Sequence, residues 1–168
     1  MFERFDALVY KVSEYCNLDC IYCFQKHDVK ERTRGFTYFD ELIKLLITLP
    51  LADDFEVKVT GGESSLHCDK IRQDYKKFKK LERYKETTIN MTTISNGSNI
   101  GGLIDLWNDH ILDPWGCKIS WDGIYSASKS RKPKNIKVFN DDYFNKAIIE
   151  LGRSNYHDKV LVRTACTP

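Results

Sequence analysis

Long apolar runs are missing from this sequence. No stretch approaches the roughly 18 consecutive apolar residues that a membrane helix needs. The start, Met1-Phe-Glu-Arg-Phe-Asp6, carries acidic residues and no apolar run of signal-peptide length. A charge excess is missing as well: 26 Lys and Arg stand against 24 Asp and Glu, leaving a formal net charge of +2, far from the basic surplus of a nucleic-acid binder. These absences predict a cytoplasmic protein with neither a membrane nor a nucleic acid as partner. There is no internal repeat and no low-complexity segment. With 42% hydrophobic and 30% charged residues, 168 residues suit one globular domain with a buried core.

Cysteine is not scarce. Six cysteines in a chain read as cytoplasmic point to metal or redox chemistry before disulfides. Three are grouped in Cys16-Asn-Leu-Asp-Cys20-Ile-Tyr-Cys23. Three thiols on one loop can converge on one metal centre, and three is one too few to close a tetrahedral or cubane site. The open position suits chemistry rather than scaffolding. Cys68, Cys117 and Cys166 are scattered and read as reduced thiols serving as small hydrophobes.

Short β-rich runs alternate with helical periodicity. Strands are expected at 7–12, 55–60, 87–94, 117–121 and 160–166. Thr37 is positioned to cap a helix in which Phe39, Leu42, Ile43, Leu46 and Ile47 share a face, and Pro50 stops it. A second helix is expected over 69–83, its lysines forming a solvated outer face with Asp74 and Glu82 interleaved. A short helix follows at 103–107, and another begins at Asp141 and ends at Gly152. The polar stretch 126–137 reads as a mobile loop. Such alternation implies parallel βαβ units. The fold expected is α/β, a partial TIM-type (β/α)6 barrel of parallel strands truncated after the fifth.

In α/β barrels the reactive groups gather at the C-terminal ends of the strands. The cysteines follow the first strand, Gly61-Gly62-Glu63 the second and Ser95-Asn96-Gly97 the third, while Ser120-Trp121-Asp122-Gly123 ends the fourth. Each of the last three is weak alone. A Gly-Gly pair is often a turn, although it also lets a backbone with unblocked amides and carbonyls approach a ligand. Glu63 is either solvated or an acceptor for a ligand ammonium. Asn96-Gly97 and Asp122-Gly123 are favoured turn pairs. A competing reading adds His27 to the three cysteines and makes a structural Cys3His zinc site.

Taken together these elements resemble the radical S-adenosylmethionine (radical SAM) enzymes. The resemblance rests on Cys16-x3-Cys20-x-Tyr22-Cys23 with Gly61-Gly62-Glu63, Ser95-Asn96-Gly97 and Ser120-Trp121-Asp122-Gly123, and the last element is similar to the sulfatase-maturing and peptide-maturase (SPASM-type) branch. It implies that Cys16, Cys20 and Cys23 hold three irons of a 4Fe-4S cluster and that S-adenosylmethionine chelates the fourth. Gly61, Gly62 and Glu63 would receive the methionine amino end, Tyr22 would lie near the adenine, and Asn96 would support the nucleoside. Ser120 and Arg131, about a dozen residues apart, would address the ribose or carboxylate. The implied reaction is reductive cleavage to a 5′-deoxyadenosyl radical that takes hydrogen from a peptide or protein. An electron donor of flavodoxin or ferredoxin type is implied too. A glycyl-radical-enzyme activase would use the same cysteines.

This chain departs from that pattern in three ways. Ser64-Ser65-Leu66 stands where proline commonly follows Gly-Gly-Glu, a sixth strand is missing, and so is a C-terminal set of cysteines for auxiliary clusters. Residues 1–168 are therefore read as one incomplete radical SAM core domain. Its last strand would be an open edge, inviting self-association.

Overall fold

The computed structural model describes residues 4–23, 39–83 and 85–164. His27, Thr37 and Cys166 lie outside the described residues, and with them the expected cap and the fourth zinc ligand.

In chain order the elements are β1 (Phe5–Ser13), β2 (Leu18–Cys20), α1 (Phe39–Thr48), β3 (Leu51–Gly61), α2 (Cys68–Phe78) and β4 (Thr88–Ser95). There follow α3 (Ile100–Asn108), β5 (Lys118–Ser120), α4 (Ser126–Lys129), β6 (Arg131–Pro133), α5 (Asp141–Arg153) and β7 (Leu161–Arg163). Five strands make one parallel sheet in the order β1-β3-β4-β5-β7, and each successive pair is separated in sequence by a helix. This is the expected partial barrel.

Period-two alternation builds the sheet. On β3, Phe55, Val57 and Val59 point inward with 1% exposure or less, while Asp54 and Lys58 face solvent. The inward rows meet the apolar faces of α2 and α3, chiefly Ile71, Phe78, Leu103, Leu106 and Trp107. Tyr10, Phe39 and Phe78 stack edge-to-face with ring centroids 5.2–5.6 Å apart. These contacts fasten α1 and α2 to β1.

Several sequence expectations differ from the structure. Asp74 is buried rather than part of a solvated face: it accepts from the Tyr10 hydroxyl and pairs with Lys70 at 2.5 Å. Its position on α2 faces β1, where a phenol supplies the missing donor. The 126–137 stretch, read as a mobile loop, instead contains α4 and β6. Strand β6 pairs antiparallel with β2 in the register Leu18↔Pro133, Asp19↔Lys132 and Cys20↔Arg131. No hydrophobic alternation marks Arg131-Lys132-Pro133, because its partner is supplied by the fold rather than by a neighbouring hairpin.

Helix ends follow local chemistry. Asn99 Oδ1 accepts from Gly102 N at 3.0 Å to cap α3, and Asn140 Oδ1 accepts from Tyr143 N at 2.9 Å to cap α5. Helix α5 runs to Arg153, so Gly152 lies inside its last turn rather than beyond it. Among the described residues, no helix is long and apolar enough to cross a membrane.

Candidate functional site

A cavity of about 260 Å³ opens at the C-terminal end of the sheet. Cys16, Cys20 and Cys23 line it, together with Tyr22, Gly61, Gly62, Glu63, Asn96, Ser120 and Arg131. Every residue that the radical SAM resemblance singled out for cluster or cofactor thus borders one space. Strand order explains the gathering, since β1, β3, β4 and β5 run parallel and deliver their trailing loops to one end.

The cysteine loop is held on both sides. Cys16 is buried beside Leu18, Ala127 and Phe144, and its Sγ accepts from Leu18 N at 3.4 Å and Asn96 Nδ2 at 3.9 Å. On the other side Ile21 N donates to Ser130 O at 3.0 Å, next to the β2–β6 pairing, and Cys23 N donates to Cys20 O at 3.0 Å.

The glycine pair serves this loop directly. Gly62 N donates to Ser13 O at 2.9 Å and Glu63 N to Tyr15 O at 2.8 Å. A Cβ at Gly61 would lie 2.2 Å from Ser13 O, and one at Gly62 2.1 Å from Tyr15 O. Gly61 also has φ +148°, a conformation that L side chains rarely adopt. The close backbone approach expected toward a ligand is therefore made toward the chain's own cysteine loop. The Gly62 and Glu63 amides, expected to be unblocked, are spent there.

Glu63 is neither solvated nor idle. It is 2% exposed, and its carboxylate accepts from Ser65 N at 2.8 Å, Ser95 Oγ at 2.5 Å and Asn96 N at 2.7 Å. It ties the β3 end to the β4 end and presents Asn96. From there an amide network runs inward: Asn96 Nδ2 donates to Asn17 Oδ1 at 3.1 Å, and Asn17 Nδ2 to Ser98 Oγ at 2.8 Å. Tyr143 OH donates to Ser98 O at 2.5 Å and secures the loop against α5.

At the far rim Arg131 joins three elements. Its Nε donates to Tyr22 OH at 2.8 Å and to Asp122 Oδ2 at 3.2 Å, and its Nη1 donates to Ser120 O at 2.5 Å. Asp122 was legible in the Ser-Trp-Asp-Gly element but was given no role beyond a turn. Asn17 and Ser98 had no signal except adjacency to Cys16 and to Asn96-Gly97.

Burial sets the thiol chemistry. It pushes Cys16 up to about 12 and Cys20 up to about 11, with the Arg131 charge pulling Cys20 partly back. Both are therefore protonated at neutral pH until a cation competes for the sulfur. The donor set fits an iron–sulfur cluster: three thiols border one cavity, with N–H groups aimed at the Cys16 sulfur. Among the described residues no three His, Cys, Asp or Glu side chains stand close enough to share one metal ion. A cluster takes one thiolate per iron, so its ligands surround the group rather than meet at a point. Cys68 and Cys117 lie outside the cavity, and burial pushes each up to about 11, in keeping with inert thiols.

No protein-family model matches the sequence, and no curated protein matches it. Solved structures do. Native anSMEcpe with bound AdoMet aligns at TM-score 0.64 with 23% identity, covering 96% of this chain and 43% of its own. The chain shares its fold. A second structure, native anSMEcpe with bound AdoMet and the Kp18Cys peptide, aligns at TM-score 0.63 with 23% identity, covering 95% of this chain and 42% of its own. The form with the Cp18Cys peptide gives TM-score 0.60 at 20% identity, covering 96% and 43%. These neighbours are an anaerobic sulfatase-maturating enzyme of the radical SAM SPASM type. The chain spans less than half of their length.

Proposed function

We propose that this chain is the core of a radical SAM oxidoreductase acting on a peptide or protein side chain. The observation that carries the reading is the shared cavity, where Cys16, Cys20 and Cys23 meet Gly61-Gly62-Glu63, Asn96, Ser120 and Arg131. The likeness in fold to an enzyme solved with AdoMet and with a peptide supports it.

Cys16, Cys20 and Cys23 would hold a 4Fe-4S cluster, with S-adenosylmethionine beside it. When bound, that pair supplies one-electron cleavage of the sulfonium and a radical able to take hydrogen from substrate. The chain's own residues bind, orient and exclude water. Gly61 and Gly62 bring the β3 end against the cysteine loop, where the methionine end of the cofactor would sit. Glu63 holds Asn96 by its backbone at the cavity wall, where Asn96 would support the nucleoside, while the Asn96 side-chain amide braces Asn17 and Cys16. Arg131 and Ser120 form the rim that would face the ribose or carboxylate, and Tyr22 closes the side next to Cys20 and Cys23. Buried Asn17 and Ser98, hydrogen-bonded to each other and to Asn96 behind the cavity, back the cysteine loop with paired polar groups. Electrons would come from a flavodoxin- or ferredoxin-type donor.

The chain purified without oxygen and supplied with iron and sulfide should turn brown, bind about four irons, and cleave S-adenosylmethionine when reduced. Cys20→Ala should abolish both colour and cleavage. Colourless protein holding stoichiometric zinc would overturn the reading.

A further inference from the structure

We propose that Asp122 is a positioning residue that fixes the Cys20–Cys23 half of the cysteine loop over the cavity. Beyond Cys20, which packs against the small apolar cluster of Cys16 and Leu18, that half has little apolar anchorage: Ile21 is 60% and Tyr22 36% exposed. Beside the Ile21 N–Ser130 O bond and the β2–β6 pairing, its side-chain anchorage is polar and converges on one oxygen. Asp122 Oδ2 accepts from Tyr22 OH at 2.5 Å, from Ser130 Oγ at 2.8 Å and from Arg131 Nε at 3.2 Å.

The Asp122 and Arg131 side chains are 6% and 7% exposed, so the pair is shielded from water and salt. Arg131 pairs through its backbone with Cys20 and through Nη1 with Ser120 O. One carboxylate therefore gathers the end of β5, the β6 strand and the tyrosine that lies between Cys20 and Cys23. Charge-assisted bonds of this kind are about twice as strong as neutral ones and fix direction as well as distance. The link from this brace to cluster binding rests on the function proposed above; the brace itself does not.

The rate at which iodoacetamide alkylates each thiol of the cluster-free chain, resolved by mass spectrometry, tests the assignment. Tyr22→Phe removes the hydroxyl without changing charge, and Asp122→Asn keeps the shape but weakens the acceptor. Both variants should speed modification of Cys20 and Cys23 roughly tenfold, the order expected for losing one hydrogen bond to a charged group. Cys117, buried in the main core, should react as slowly as before and reports that the fold is intact. Unchanged rates at Cys20 and Cys23 would overturn the proposal. So would acceleration in Asp122→Asn alone, which would mean a charge effect on the thiols, or acceleration of Cys117 in step, which would mean general loosening.

Iron and sulfide loading then separates this inference from the functional reading. Wild-type protein that takes up no cluster removes that reading and leaves the thiol result standing. Wild-type protein that loads, beside a Tyr22→Phe variant with the same reduced-cluster EPR spectrum on adding S-adenosylmethionine, removes the link between brace and cluster.

Discussion

Gly62 lies so close to Tyr15 that a Cβ placed on it would sit 2.1 Å from the Tyr15 carbonyl oxygen. The contact is backbone against backbone, so no side chain can swing aside to relieve it. Gly62→Ala must push the cysteine loop off the β3 end and disturb the Gly62–Ser13 and Glu63–Tyr15 bonds. The expected cost is about 1–3 kcal/mol, the range for overpacking a closed site. Urea unfolding of the cluster-free chain measures it. A stability equal to wild type would mean that the loop lies farther from β3 than described.

Gly152 provides the opposite case. It sits in the last turn of α5, and a Cβ there would meet nothing within 4 Å. Gly152→Ala should raise stability by about 0.5–1 kcal/mol, since alanine loses less backbone freedom in a helix. A lower melting temperature than wild type would count against the helical conformation at 152.

The different fates of these two glycines show what was legible in the sequence. Periodicity located β3 and β4 well, because Phe55, Val57 and Val59 alternate with polar neighbours on a half-buried surface. The cavity-lining set was also legible, since parallel strands must release their loops at one end. The reason for Gly61-Gly62 was not, because a ligand and a second backbone both demand the same missing Cβ. Strand β6 escaped for another reason: Arg131-Lys132-Pro133 has no β-pattern, and its pairing with Leu18–Cys20 exists only once the sheet has formed. Asp74 was misplaced because a helix face rich in lysine conceals one inward carboxylate whose donor, Tyr10, is 64 residues away.

Buried thiols make the cluster-free chain sensitive to alkali. Burial pushes Cys16 up to about 12 and Cys117 up to about 11, while an unfolded cysteine ionises near 8.5. The folded state keeps these protons at pH values where the unfolded chain has lost them. Their contribution is therefore intact below about pH 8.5 and is lost as pH rises toward the folded values. Each thiol should remove about 1.4 kcal/mol of stability per pH unit across that window. Unfolding free energies between pH 8.5 and 10 check this, with Cys117→Ala expected to lower stability overall but to flatten the slope. Identical slopes in the two proteins would refute the assignment to Cys117.

Glu63 separates structural from direct cofactor roles within the Gly-Gly-Glu element. Its carboxylate accepts from Ser65 N, Ser95 Oγ and Asn96 N while only 2% exposed. Glu63→Ala leaves two backbone N–H groups buried without partners, at about 1–3 kcal/mol each. Glu63→Gln keeps the volume and one acceptor oxygen but turns an amide NH2 toward another donor, so about half of that loss is expected. The cluster-free chain should show both losses, because the three donors belong to the chain itself. If instead Glu63→Gln unfolds like wild type and weakens only S-adenosylmethionine binding after cluster loading, Glu63 acts on the cofactor directly, and the bracket between β3 and β4 is held by Ser64, whose Oγ donates to Ile94 O at 3.0 Å.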